Sequence, residues 1–122
     1  MQLEVRATRT GAFTVLAVDG EIDMDSAPRL RELMLEQLTE GANSVIIDMS
    51  GVTFMDSSGL SVLVAVLKRV RDGDGQLRLV VTRERTMKLF RITSLDTVFT
   101  ISGSLDDAMN DVPLDAEATL PT

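Results

Sequence analysis

The sequence predicts an α/β fold: one domain with a mixed, mostly parallel β-sheet, an N-terminal β-hairpin and about four helices. Three observations carry that reading. From Asp25 onward, short β-like apolar runs alternate with segments of helical periodicity, the order that builds a parallel sheet. The opening residues hold two strand-like runs joined only by Thr10-Gly11-Ala12, a link that suits an antiparallel hairpin and not a crossover. At 122 residues the chain has room for a single domain.

The elements follow in order. Residues 3–9 (LEVRATR) alternate apolar and polar like a half-buried strand, and Phe13 to Val18 resumes that character until Asp19-Gly20 closes it. Glu21-Ile22-Asp23-Met24-Asp25 reads as a short acidic loop. Asp25 or Ser26 suits the N-cap of a first helix, and Pro28 suits its first turn. Leu30, Leu33, Met34 and Leu38 recur at helical spacing, and Gly41 stands where a left-handed C-terminal residue is expected. Val45 to Met49 is a nearly continuous apolar run, as in a buried central strand.

After Ser50-Gly51, the segment Val52 to Met55 leads into the turn Asp56-Ser57-Ser58-Gly59. A second helix is predicted from about Ser58 to Arg71, stopped by Asp72-Gly73-Asp74-Gly75. Gln76 to Thr82 is a further strand, Glu84 to Ile92 a third helix, Val98 to Ile101 a brief last strand, and Leu105 to Val112 a short helix. The domain is thus expected over residues 1–112. From Pro113 the proline-bearing, acidic stretch 113–122 predicts a disordered tail.

Composition narrows the chemistry. The hydrophobic fraction is 44% with four Phe, no Trp and no Tyr, so Val, Leu, Ile and Met must build the core. With no Cys there is no disulfide, thiolate nucleophile or Cys-based metal site, which fits a reducing compartment. With no His, the usual general base and the commonest transition-metal ligand are both missing, and a Ser-His-Asp hydrolase cannot be assembled. The expectation is a protein that is not an enzyme and holds no cofactor. A net charge of −7, from 12 basic and 19 acidic residues, disfavours direct nucleic-acid binding. No apolar run approaches the roughly 20 residues of a membrane span, and the alternating N-terminus is no signal peptide. A soluble, cytoplasmic protein is expected.

The turn at Asp56 carries the most functional information. Asp56 or Ser57 can cap the first turn of the second helix, and Gly59 permits close approach of backbone or partner. Its local pattern alone is that of an N-cap. The following helix is apolar on all but a narrow arc (Ser58, Ser61, Ala65, Lys68, Arg69 and Asp72), so it is expected to be wedged between the sheet and a neighbour. A hydroxyl at its N-terminus would be rigidly held, and a phosphate there would meet free N–H groups and the positive end of the helix dipole. Glu21, Asp23 and Asp25 are either an acidic docking patch or solvated loop and cap carboxylates. A Mg²⁺ site made from them lacks any recognisable ligand motif, and no metal is assigned. Gly73-Asp74-Gly75 is a turn, not a phosphate loop, and the seven Met residues are core filler.

Four stretches in this order resemble the stand-alone STAS-domain anti-sigma factor antagonists of bacteria. They are Gly20-Glu21-Ile22-Asp23, then Ala27-Pro28 with Leu30-Arg31-Glu32, then Phe54-Met55-Asp56-Ser57-Ser58-Gly59-Leu60, and last Glu84-Arg85 with Leu89-Phe90-Arg91-Ile92-Thr93. The resemblance covers about residues 3–110. It implies a phosphorylation site at Ser57, the hydroxyl directly after Asp56, and places Ser58 at the second hydroxyl position. It implies two partners: an anti-sigma factor serine kinase that uses ATP, and a metal-dependent serine phosphatase that reverses the modification. The unphosphorylated protein would sequester the anti-sigma factor and free a sigma factor. A partner-binding surface of Glu21, Asp23, Asp56, Ser57, Ser58, Gly59 and Ser61 is expected. Two positions depart from the pattern: the family commonly has Gly where Ser61 and Ser94 stand. A STAS module in another phospho-signalling complex is the alternative function, and a small nucleotide-binding protein using Asp23 and Asp56 a more distant one.

Overall fold

The structure, a computed structural model, describes residues 3–39 and 43–111. The element order is β1 (Leu3–Thr10), β2 (Phe13–Ile22), α1 (Ala27–Thr39), β3 (Ser44–Met55), α2 (Ser57–Asp72), β4 (Gln76–Val80), α3 (Glu84–Ile92), a 3-10 turn at Leu95–Thr97, β5 (Thr100–Ser102) and α4 (Leu105–Met109). The five strands lie side by side in chain order, β1 antiparallel to β2 and every later pair parallel. The predicted α/β class, the hairpin and the mostly parallel sheet are what the chain adopts. The last helix stops at Met109, short of the expected Val112, because Asn110 caps it and Asp111 turns into left-handed backbone at φ 61°; the expected Gly41 cap and the tail 113–122 lie outside the described residues.

Strand alternation sorts the core. Leu16, Val18, Val45, Ile47, Leu77, Leu79 and Ile101 point to one face, where Leu30 and Met34 of α1, Leu63 and Val66 of α2 and Phe90 of α3 cover them. Phe90 and Phe99 meet edge to face at 5.8 Å, an arrangement the ring quadrupoles favour. The opposite face carries a smaller cluster of Val15, Ile46 and Val80 under Ala108 of α4. The half-buried Arg78 ties α4 down from that face, donating to the Ala108 carbonyl at 2.7 Å while its guanidinium lies 4.9 Å from the Phe13 ring centroid.

Two expected boundaries need correction. β2 does not close at Asp19-Gly20 but runs on to Ile22, and β3 does not stop at Met49 but runs on to Met55. The parallel β2–β3 ladder slips register between Ala17 and Asp19 and again between Gly20 and Glu21. Core-facing residues of β3 therefore fall at Val45, Ile47 and Met49, then at Val52 and Met55. Spacings of two become spacings of three, so the pattern read along the chain looks like an interruption although hydrogen bonding continues. Gly51 belongs to the first slip: a Cβ there would lie 1.8 Å from Asp19 Oδ1. Gly20, with φ 116°, belongs to the second. The added length matters because it carries both strands to a common end, Ile22 opposite Met55.

Candidate functional site

The site is built where those two strands stop. The Asp56 N–H donates to the Ile22 carbonyl at 3.1 Å, so the chain leaving β3 is pinned to the end of β2. Asp56, in extended backbone, is the N-cap of α2; its Oδ1 accepts the Ser58 N–H at 2.8 Å and its carbonyl accepts the Gly59 N–H at 3.0 Å. Of the two caps the sequence allows, Asp56 takes the role, and Ser57 is the first helical residue. Gly59 is buried against the strand ends, where a Cβ would fall 2.5 Å from Met55 Cγ and 2.9 Å from Ile22 Cγ2. The sixteen-residue α2 buries Leu60, Val62, Leu63, Val66, Leu67 and Val70 and packs on α1 and the sheet. Its N-terminus is fixed, as expected of so apolar a helix. Val64 is the exception to the apolar face: it is exposed.

Ser57 is exposed and Ser58 half-buried, and neither hydroxyl has a hydrogen-bond partner among the described residues. The surroundings of Ser57 correct one expectation. The N–H groups of Ser58 and Gly59 already serve Asp56, so a phosphate on Ser57 would not find an open set of helix donors. What remains in its favour is the helix dipole and the N–H of Ser57 itself, which has no acceptor among the described residues. Ser61 is exposed one turn on and returns its hydroxyl to the Ser57 carbonyl at 3.3 Å.

The acidic stretch sits at the same sheet edge. Glu21, opposite Phe54 in the last part of the ladder, is exposed. Asp23 is half-buried, and its Oδ1 accepts from the N–H groups of Asp25 and Ser26 at 3.0 Å each and from the Ser26 hydroxyl at 3.2 Å. Ser26 Oγ accepts the Asp23 N–H at 2.9 Å, and its one proton is shared between the Glu21 carbonyl, at 2.9 Å, and the more distant Asp23 Oδ1. Asp23, and not Asp25 or Ser26, therefore organises the entry to α1, whose first residue Ala27 donates to the Asp23 carbonyl at 2.8 Å. Capping occupies one carboxylate oxygen of Asp23; Asp25 and Glu21 point their charges to solvent. Among the described residues no group of three or more acidic side chains is placed to hold a metal ion.

A shallow groove of about 420 Å³ runs between the N-terminal halves of α1 and α2, lined by Met24, Pro28 and Arg31 on one side and Ser58, Ser61 and Val62 on the other. Sequence reasoning does not single out Met24, Pro28 or Arg31 as site residues. Met24 left a signal: it is the sole apolar side chain besides Ile22 in an acidic loop, and it stands 75% exposed. Among the described residues the arrangement offers no acid–base pair, no phosphate cradle and no enclosed cavity at the serines. It offers an addressable hydroxyl on a rigid helix end, rimmed by carboxylates and bordered by a half-apolar groove.

Comparison with known proteins identifies the fold and the family. An anti-sigma-B factor antagonist of Staphylococcus aureus is 30% identical over 95 residues, spanning 78% of this chain and 88% of that protein. The antagonist of the same name from Staphylococcus epidermidis is 33% identical over the same share of each chain. Among solved structures, an anti-sigma factor antagonist from Mycobacterium paratuberculosis superposes with a TM-score of 0.84 at 29% identity, covering 91% of this chain and 94% of that one. The family model of the STAS domain matches residues 4–108, nearly all of the described fold, and the chain belongs to the STAS domain family.

Proposed function

We propose that this chain is an anti-sigma factor antagonist controlled by phosphorylation of Ser57. The unphosphorylated form binds an anti-sigma factor serine kinase in the cytoplasm and thereby releases a sigma factor. Transfer of the γ-phosphoryl group of ATP to Ser57 Oγ, with ADP and a proton released, switches binding off. A metal-dependent serine phosphatase restores the free hydroxyl. The chain itself carries out no catalysis in this cycle. The docking surface comprises Glu21, Asp23, Asp56, Ser57, Ser58 and Ser61, with Gly59 buried beneath it and seating the helix end on the strands.

The observation that carries the reading is the state of Ser57: exposed, without a hydrogen-bond partner, and mounted on a helix end pinned to two strands. A kinase can reach it without unfolding anything. Phosphorylation adds roughly −1.5 to −2 charge at pH 7, next to the Asp56 carboxylate and in the middle of any surface that covers α2's N-terminus. A partner that closes over this point must desolvate and face that charge, so the modified form is rejected. Likeness to the Staphylococcus antagonists supports the class of partner.

The test is binding and phosphorylation with the anti-sigma factor kinases of the parent genome. Wild type and Ser57→Ala should bind one of them, and only wild type should gain phosphate, at Ser57 by mass spectrometry. Ser57→Asp should bind more weakly by at least about tenfold. Phosphate on another residue, or equal affinity for wild type and Ser57→Asp, overturns the switch.

A further inference from the structure

The groove beside the serines has a polarity of its own. Arg31 is its one charged lining residue. The neighbouring Arg29 is paired with Glu32 at 2.5 Å, whereas Arg31 is exposed and has no ionic or hydrogen-bonded partner among the described residues. On the other side of the same surface, at the sheet edge, the exposed charges are Glu21 and Asp25. The surface around α2's N-terminus is therefore acidic at the strand ends and basic one turn into α1, with the buried Ala27 and Val62 as an apolar floor between and the exposed Pro28 and Met24 beside it. In a chain of net charge −7, a partner selected on overall charge alone would be basic. An unpaired arginine in the groove selects for something else locally.

We propose that the groove receives an apolar side chain of the anti-sigma factor flanked by a carboxylate, and that the carboxylate pairs with Arg31. This rests on the antagonist reading and deepens it by fixing which way round the partner sits: its basic groups toward Glu21 and Asp25, its acidic group toward Arg31. Two observations support that occupant. The groove shares Ser58 and Ser61 with the phospho-controlled surface, so a partner covering Ser57 reaches it without a second interface. A volume of about 420 Å³ accepts a side chain or two of a protein and is open along its length, unlike the enclosed pocket of a small ligand. A guanidinium can hold a carboxylate through two parallel N–H bonds, which fixes orientation as well as charge.

The experiment titrates the kinase that binds wild type with Arg31→Glu, Arg31→Lys and Met24→Ala, alongside Ser57→Asp, at low and at physiological salt. The two groove positions, Arg31 and Met24, and Ser57 are all exposed, and unchanged circular dichroism will show that each variant is folded. Arg31→Glu should weaken binding at least about tenfold and Arg31→Lys only a few-fold, with the deficit of Arg31→Glu larger at low salt. Met24→Ala should weaken binding at either salt concentration equally. If Ser57→Asp weakens binding while Arg31→Glu does not, the antagonist reading stands and the groove proposal is overturned. If Arg31→Glu instead tightens binding, the groove takes a basic partner group and the orientation is reversed. If wild type binds no anti-sigma factor, both readings fall. Should sedimentation show a dimer of the free chain that Met24→Ala abolishes, the occupant is a second copy and the proposal fails.

Discussion

Ile22 and Met55 are partners in the last rung of the parallel β2–β3 ladder, and the N–H of the next residue, Asp56, bonds back to the Ile22 carbonyl. One rung thus fixes two loop exits. Beyond Ile22 the chain turns through Asp23 into α1; beyond Met55 it turns through Asp56 into α2. Carboxyl ends of adjacent parallel strands are the usual place for sites in open α/β sheets, and here both exits are capped by an aspartate. Ser57 owes its position to this rung rather than to any contact of its own side chain.

Gly59 locks that geometry. A methyl group there would press on Met55, whose end can move, and on Ile22 Cγ2, which cannot move easily because Ile22 is 1% exposed. Alanine gains about 1 kcal/mol of helix propensity over glycine, but overpacking costs roughly 1–3 kcal/mol. Gly59→Ala should lose about 1 kcal/mol on balance in a urea melt. A more stable variant would show that α2 can lift off the strand ends.

Ser94 explains one of the two departures from the family pattern. Its backbone is left-handed, φ 61° and ψ 16°, at the end of α3 where its N–H bonds the Arg91 carbonyl. A residue with a Cβ pays about 1–2 kcal/mol for that conformation, part of which glycine gives back as chain entropy in the unfolded state. Ser94→Gly should therefore stabilise the domain by about 0.5–1 kcal/mol. A loss of stability would mean that the Ser94 side chain does something the geometry does not show.

Phosphorylation of Ser57 should leave the fold unchanged. The hydroxyl is exposed and unbonded, so no native hydrogen bond is broken. The charge added beside Asp56 is unfavourable, while the helix N-terminus is favourable by about 0.3–1 kcal/mol. Far-UV circular dichroism of the modified and unmodified protein should coincide, and melting temperatures should differ by only a few degrees. Loss of helix on phosphorylation would replace the steric and electrostatic switch by an unfolding one.

How far the sequence foretold this depends on whether a signal is local. The hairpin, the apolar α2 and the Asp56-Ser57-Ser58-Gly59 turn are local patterns, and each lies where the residues indicate. The full lengths of β2 and β3 do not show, because two register slips break the alternation just where Asp19, Gly20 and Gly51 mimic a strand end. The cap of α1 escapes the local pattern for a related reason. Asp25 and Ser26 stand nearest the helix, but Asp23 reaches over them and Ser26 turns its hydroxyl back to the strand. The groove joins residues about thirty positions apart, Arg31 and Ser61 among them, and no pattern within either helix announces it.

Asp23 is where the structural and docking roles meet, and two substitutions separate them. Its Oδ1 holds the Asp25 and Ser26 N–H groups and the Ser26 hydroxyl, an acceptor role that needs an oxygen but not a charge. Asn keeps that oxygen, and Asn and Asp are nearly equal as caps, so Asp23→Asn should change stability by less than about 0.5 kcal/mol. Ala removes the acceptor and should cost about 1–2 kcal/mol. Binding is then compared per folded molecule. If the kinase meets the charge of Asp23, Asp23→Asn weakens binding several-fold although the domain is as stable as before. If Asp23→Asn binds like wild type while Asp23→Ala melts early, Asp23 serves only to shape the entry to α1. The carboxylates left to face the partner would then be Glu21, in the last rungs of β2, and Asp56, directly after β3.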